Sequence, residues 1–258
     1  MKVVILAGGF GTRLAEESDR RPKPMVEIGG RPILWHIMKH FAHFGHREFV
    51  LALGYKGEMI KRYFLDYDRM QSGLTVNLGT GAVTVRRRSS ENWIVHMEDT
   101  GLDAQTGERI RRLRPLLDGE PFMVAYGDGV ADVDVDALLT QHRTYGRVAT
   151  VTAVRPPARF GGLSLNGNRV IDFEEKPSIG EGWINGGFLV FEPTVFDYLE
   201  GADNPSLELH ALERIAADGQ LTVHRHERYW QCMDTLRDVR LLEGQWQRGA
   251  PAWKVWKD

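Results

Sequence analysis

The stretch Met1 to Met25, MKVVILAGGFGTRLAEESDRRPKPM, constrains this chain more than any other. A short apolar strand over Lys2 to Leu6 runs into Ala7-Gly8-Gly9-Phe10-Gly11-Thr12-Arg13. Three glycines in four positions remove the side chains that would keep backbone amides from a ligand. A turn of this kind after a strand can cradle phosphate oxygens. Arg13 and Lys23 bring positive charge to the same end of the strand. Pro22 and Pro24 fix the backbone on both sides of Lys23, so less entropy is lost in aiming its ammonium. Two familiar phosphate loops are excluded. A Walker A loop needs GxxxxGK[ST], whereas Gly11 is followed by Thr12-Arg13. A dinucleotide fingerprint needs a third glycine where Leu14 stands. A bare strand-to-helix turn competes with a nucleoside triphosphate site for the glycines taken alone; Arg13 and Lys23 favour the site.

The rest of the chain reads as alternating strands and helices. Apolar residues at 33, 34, 37, 38 and 41 share one helical face. Glu48 to Leu53 is a strand, Glu58 to Phe64 a helix, and the first 65 residues begin a doubly wound sheet. Leu74 to Asn77 and Trp93 to Met97 read as strands, Gly107 to Leu117 as a helix interrupted at Pro115. Pro121 to Tyr126 is an apolar strand running into Gly127-Asp128-Gly129. Asp134 caps a helix reaching Tyr145, and Ala149 to Val154 is a strand. Beyond Pro156-Pro157, Gly161 to Leu165 and Arg169 to Phe173 read as antiparallel strands. Ile184 to Phe191 is a glycine-interrupted strand. Helices follow at 194–199 and 208–217, then a strand over Leu221 to His226 and a helix over Thr235 to Trp246. The tail around Trp253 and Trp256 reads as a short strand. The expectation is one α/β domain. Its doubly wound mixed sheet is flanked by helices, with a nucleotide-binding half over 1–155. A smaller α+β half over 156–258 serves sugar-phosphate binding and assembly.

Asp128 follows an apolar strand and lies between glycines. Ligands of open α/β sheets gather outside the carboxyl ends of strands, so a carboxylate there is well placed for Mg²⁺. Asp132, Asp134 and Asp136 read as solvated or capping. Asp234, in Gln231-Cys232-Met233-Asp234-Thr235, is either an N-cap or a second metal ligand. Mg²⁺ takes one or two protein carboxylates plus phosphate and water oxygens; Asp128 and Asp234 make such a pair if the sheet brings them together. Glu175 and Lys176 suit a sugar hydroxyl and an anionic phosphate. Asn185-Gly186-Gly187 offers an amide and bare backbone to a sugar ring. Each of these competes with a plain turn or bulge. Cys232, the single cysteine, reads as a small buried hydrophobe. It excludes an intrachain disulfide framework and fits a reducing, cytoplasmic setting. A formal net charge of -2 argues against a nucleic-acid surface. No apolar run approaches the ~20 residues of a membrane helix, and the N-terminus does not read as a signal peptide.

Leu6 to Leu14 followed by Pro22-Lys23-Pro24-Met25 resembles the signature of the sugar-phosphate nucleotidylyltransferase family. Gly127-Asp128-Gly129 and Glu175-Lys176-Pro177 are similar to further motifs of that family. Met25 to Met38, Tyr126 to Asp132, Ile184 to Phe188 and Trp230 to Asp238 resemble its cytidylyl-transferring branch, and the resemblance spans the whole chain. It implies transfer of CMP from CTP to glucose 1-phosphate, giving CDP-glucose and pyrophosphate, with Mg²⁺ on Asp128 and Asp234. Arg13, Lys23, Asp128 and Asp234 would be catalytic. Leu6, Ala7, Gly8, Gly9, Gly11, Thr12, Arg13, Lys23 and Gly127 would hold the nucleotide, and Thr100 and Arg111 would select cytosine. Glu175, Lys176, Asn185 and Gly186 would hold the sugar phosphate. The resemblance also implies a homo-oligomer (trimer or hexamer) and a product destined for surface polysaccharide. Phe10 stands where leucine is usual, and Cys232 where proline is common. The rival readings are the same chemistry with dTTP or UTP, a non-catalytic nucleotide-sugar regulator, and a structural protein with a glycine-rich turn.

Overall fold

The computed structural model describes every residue except 15, 16, 18, 87–90, 157–161, 167, 168, 175–181 and 258; of 13, 162–166 and 169–174 it describes the backbone alone. Seven strands form the central sheet: β1 (Val3–Leu6), β2 (Glu48–Leu53), β3 (Ile94–Asp99), β4 (Phe122–Tyr126), β5 (Ala149–Val154), β6 (Ile184–Phe191) and β7 (Leu221–His226). Their order is β7-β5-β6-β4-β1-β2-β3. β1 runs parallel to β2 and β4, β2 to β3, and β5 to β7. β6 is antiparallel to both neighbours, which makes the sheet mixed. It carries a strand of the second half of the chain into the middle of the sheet.

The inner strands β1, β2 and β4 are near-continuous apolar runs because both faces are covered. Val3 and Ile5 of β1 enter one core, and Val4 enters the other. The first core holds α1 (Ile33–His43), Ile60 of α2 (Gly57–Leu65) and, across the same face, α4 (Val135–Tyr145) and α5 (Leu236–Gln247) once α3 (Thr106–Arg112) is set aside. That helix contributes Ile110 to the second core, beside Val195, Phe196 and Leu199. Asp134 caps α4 by accepting from Ala137 N at 2.9 Å.

Three expectations need correction. The helix expected over 107–117 with an interruption at Pro115 is broken two residues earlier, at Leu113: α3 ends at Arg112, and Arg114–Leu117 starts a new turn. Pro115 has no N–H to give the helix above it and fits only a first turn. The segment expected over 208–217 opens as a π-helical turn, Leu207–Leu212, before Glu213–Ala217 becomes α-helical. The tail is a turn and not a strand, with Lys254 N donating to Pro251 O at 3.0 Å. Trp253 and Trp256 are buried against α1, their ring centroids 6.0 and 6.2 Å from that of His36. Two buried indoles bring a large apolar area into the core. Burial pulls the His36 imidazole down to about 4, so it sits there uncharged.

Sequence reading also missed short strands. Val83–Arg86 pairs with Gly73–Val76 across the Asn77 to Ala82 turn. Gly129–Ala131 pairs antiparallel with Trp230–Cys232. The second of these matters most, because it joins two segments a hundred residues apart just beyond the sheet.

Candidate active site

β1 has a parallel neighbour on each side, so the chain leaves the sheet in opposite directions at its carboxyl end. Such a switch point opens a crevice. In register, Leu6 lies opposite Tyr126, which sets the glycine loop beside Gly127-Asp128. The fit is close: Gly127 N donates to Leu6 O at 3.2 Å, and a Cβ on Gly127 would stand 2.6 Å from that oxygen. Glycine is required there by packing.

The short strand pair brings Asp234 to the same place. Cys232 lies opposite Gly129, and Met233 N donates to Asp128 O at 2.8 Å. Lys23 enters from its proline-bounded turn, with Pro22 at φ -65° and ψ 148°. Its ammonium donates to Asp128 Oδ2 at 2.6 Å and to Asp234 Oδ1 at 2.5 Å. Both carboxylates therefore touch one nitrogen and lie within reach of one cation. Burial by itself lowers the Lys23 ammonium; Asp128 and Asp234 outweigh it and hold the group above its ordinary value. The formal charge of the triad is negative by one, which suits a further cation. Hard carboxylate oxygens fit Mg²⁺. Among the described residues no three acidic, histidine or cysteine groups gather as a metal cage, so the remaining ligands would be phosphate and water oxygens.

Two cavities meet at this triad. One, of about 580 Å³, is lined by Leu6 to Thr12, Lys23, Leu102 to Thr106, Arg109, Gly127 and Glu208. The other, of about 640 Å³, is lined by Ile184 to Gly187, Trp230 to Cys232, Asp234, Arg237 and Leu241. Tyr126 and Asp128 line both. The arrangement is a pair of adjoining sites with carboxylates and an ammonium at their junction, suited to a reaction between two phosphate-bearing molecules.

The Nucleotidyl transferase family profile matches residues 2–258. The chain belongs to this family. It is 45% identical over 258 residues to the glucose-1-phosphate cytidylyltransferase of Salmonella typhimurium, covering 100% of both chains. It is 43% identical over 256 residues to the probable glucose-1-phosphate cytidylyltransferase of Bacillus subtilis, covering 99% of this chain and 100% of that one. The crystal structure of HddC from Yersinia pseudotuberculosis complexed with GMP-PN shares the fold. Its TM-score is 0.68 at 23% identity, over 95% of this chain and 99% of that one.

Within this nucleotidyl transferase the sequence-predicted residues fall into three groups. Leu6, Ala7, Gly8, Gly9, Gly11, Thr12, Lys23 and Gly127 line the smaller cavity, and Asn185 and Gly186 line the larger. Thr100 and Arg111 line neither. Thr100 is buried, and its hydroxyl donates to Leu53 O at 2.7 Å. Arg111 is paired with Glu108 and donates to Ala202 O at 3.0 Å. Both side chains are occupied by structural bonds behind the wall. Glu175, Lys176 and the side chain of Arg13 lie outside the described residues.

Sequence reading missed Arg109. It is buried on α3 and donates to Gly8 O, Leu53 O, Gly101 O, Leu102 O and Thr100 Oγ1, at 2.8 to 3.2 Å. Burial, with Arg112 nearby, holds its guanidinium below the usual arginine value. A Cβ on Gly8 would strike this guanidinium and the Gly54 amide. Gly8 thus serves a packed arginine as well as the loop. Nothing in a run of arginines distinguishes the one that is buried. Cys232, expected as a buried hydrophobe, is half-buried and lines the larger cavity, its Sγ 3.8 Å from Asp234 Oδ2.

Proposed function

We infer that this chain transfers CMP from CTP to glucose 1-phosphate, releasing pyrophosphate and giving CDP-glucose. The observation that carries this is the 45% identity, end to end, with the Salmonella typhimurium glucose-1-phosphate cytidylyltransferase. The two adjoining cavities support it. CTP takes the glycine-lined cavity and glucose 1-phosphate the larger one, so that the attacking phosphate and the α-phosphorus meet beside Asp128.

A sugar-phosphate oxygen attacks the α-phosphorus in line with the departing pyrophosphate. The new bond is O–Pα, and the bond broken is that from Pα to the bridging oxygen of the β-phosphate. The nucleophile is already an anion, so no general base is needed. The obstacle is the approach of two anions, and the chain meets it with charge. Amides of the Gly8 to Thr12 loop and Arg13 hold the β- and γ-phosphates. Lys23 serves the α-phosphate, where charge builds. Lys176 holds the attacking phosphate, with Glu175, Asn185 and Gly186 on the sugar. Nucleotidyl transfer in this family is assisted by a divalent metal; Asp128 and Asp234 are the pair that would hold Mg²⁺. When bound, that ion supplies Lewis-acid stabilisation of phosphate oxygens. Thr100 contributes to base selection indirectly, through the bond it accepts from Arg109 at 2.8 Å; Arg111 acts at a further remove, from α3, where it pairs with Glu108. The enzyme works in the cytoplasm as a homo-oligomer, trimer or hexamer. No helix among the described residues is long and apolar enough to cross a membrane.

Pyrophosphate release measured for CTP, dTTP, UTP, ATP and GTP, each against several sugar 1-phosphates, tests the reading. The expected result is turnover with CTP and glucose 1-phosphate at least about tenfold above any other pair, as an unmade polar contact in a reading pocket produces. Equal or faster turnover with dTTP or UTP moves the base assignment. Binding without turnover for every pair would leave the regulatory reading standing.

A further inference from the structure

The phosphate chemistry leaves one network unused, and it crosses from one cavity to the other. Tyr126 ends β4 and lines both. Its hydroxyl donates to Glu208 Oε1 at 2.5 Å and accepts from Asn185 Nδ2 at 3.0 Å. Glu208 belongs to the π-helical turn Leu207–Leu212 and lines the nucleotide cavity. Its other oxygen accepts from Thr106 Oγ1 at 2.6 Å and from Ser206 Oγ at 2.8 Å. Asn185 lines the larger cavity, and its Oδ1 accepts from Gly187 N at 2.9 Å.

Donor and acceptor rules give this chain of bonds a direction. An ionised carboxylate only accepts. The Tyr126 proton is therefore committed to Glu208, and the phenol oxygen is left to accept from Asn185. The amide is held with nitrogen toward Tyr126 and oxygen toward Gly187. Burial would push the Glu208 carboxyl up, but the donors Thr106, Tyr126 and Ser206 hold it below its usual range. Burial, and then Glu208, push the Tyr126 hydroxyl up, so it keeps its proton. Interruption of α-helical geometry by a π turn is frequent at functional sites, and this one supplies the carboxylate.

We propose that Glu208 is a positioning residue that ties the nucleotide cavity to the sugar-phosphate cavity, its negative charge fixing Asn185, through Tyr126, as an N–H donor to the sugar phosphate. The proposal rests on reading the larger cavity as the sugar-phosphate site. Thr106 adjoins the 102–105 segment that lines the nucleotide cavity.

Steady-state kinetics of Glu208→Gln, Tyr126→Phe and the double variant test it, with KM for each substrate measured separately. The expected result is that each single variant raises KM for glucose 1-phosphate about tenfold, the scale of one charge-assisted hydrogen bond. KM for CTP should change by about twofold or less, and the double variant should be no worse than the poorer single, because both cut one chain of bonds. A KM shift confined to CTP, or fully additive effects, would overturn the proposal. Tyr126→Phe is the milder change and tests the link alone if Glu208→Gln folds poorly. Should the wild-type enzyme favour another nucleotide or sugar phosphate, the same cycle run on that pair separates failure of the coupling from failure of the substrate assignment.

Discussion

The two cavities share Asp128 but are walled differently. The cavity proposed for the nucleotide is framed by the glycine-rich loop from Leu6 to Thr12 and by Leu102 to Gln105. The cavity proposed for the sugar phosphate carries more polar and aromatic residues: Asn185, Trp230, Gln231, Asp234 and Arg237. A glycine loop can receive phosphates on its amides whatever the neighbouring side chains are, but it must be held in place. Arg109 does this, binding four carbonyls and the Thr100 hydroxyl in one buried position. The other cavity is stiffened by bonds among its own lining residues. Asp238 accepts from Asp234 N at 3.0 Å and Thr235 N at 2.9 Å, while Trp230 Nε1 donates to Gly186 O at 2.8 Å. The same task, holding a surface still, falls to one buried arginine on one side and to a mesh of bonds on the other.

The largest effect belongs to the junction, where the difference vanishes. Asp128→Asn should lower kcat by at least ~10²-fold, the scale of a lost electrostatic group, and leave the fold intact. Turnover measured across a Mg²⁺ titration checks it. Near-wild-type kcat at saturating Mg²⁺ would take Asp128 out of the metal role and separate the two cavities chemically.

Arg109→Met attacks the glycine-loop side. A buried acceptor left without a donor costs about 1–3 kcal/mol; Leu53 O keeps Thr100 and Gly8 O keeps Tyr55 N as donors, so the loss falls on the remaining acceptors. Chemical denaturation should show a loss on the order of 2 kcal/mol. KM for CTP should rise about tenfold, with KM for glucose 1-phosphate nearly unchanged. Equal rises in both would show that Arg109 stiffens the whole crevice, and the contrast between the walls would fail.

The same contrast explains what could be read from the chain before it folded. The nucleotide wall announces itself because a main-chain cradle requires glycine and a strand end, and both are local. The sheet strands are legible for a related reason: burial on both faces demands runs such as VVIL and FMVAY. The sugar-side wall is assembled from segments that meet only through tertiary pairing. Asp128 and Asp234 could be named separately, yet their meeting depends on the strand pair Gly129–Ala131 and Trp230–Cys232, each three residues long. Such strands are too short for periodicity to reveal. Tyr126 read as the end of an apolar strand, and Glu208 as one polar residue of a helix; only the fold shows that they touch. Arg109 was lost among its arginine neighbours. Thr100 and Arg111 came by likeness to relatives, and the fold gives their side chains bonds outside both cavities.

Thr235→Ala probes the opposite wall more gently. Thr235 lines the sugar-phosphate cavity and caps α5, its hydroxyl accepting from Asp238 N at 3.3 Å while Asp238 Oδ2 accepts from Thr235 N. Losing a hydroxyl cap costs about 1 kcal/mol. Asp238 Oδ2, which holds Asp234 N at 3.0 Å, also accepts from the Thr235 hydroxyl at 2.9 Å; in the variant it keeps its two backbone donors, Asp234 N and Thr235 N, so the carboxylate pair at the junction should stay in place. The expected outcome is a severalfold rise in KM for glucose 1-phosphate, with KM for CTP and the Mg²⁺ dependence unchanged. That is the mirror image of Arg109→Met, on a smaller scale. A shift in the Mg²⁺ midpoint would mean that the cap also sets Asp234. The mesh would then extend through the junction, and the sugar-side wall would be as long-ranged in its support as the nucleotide wall is.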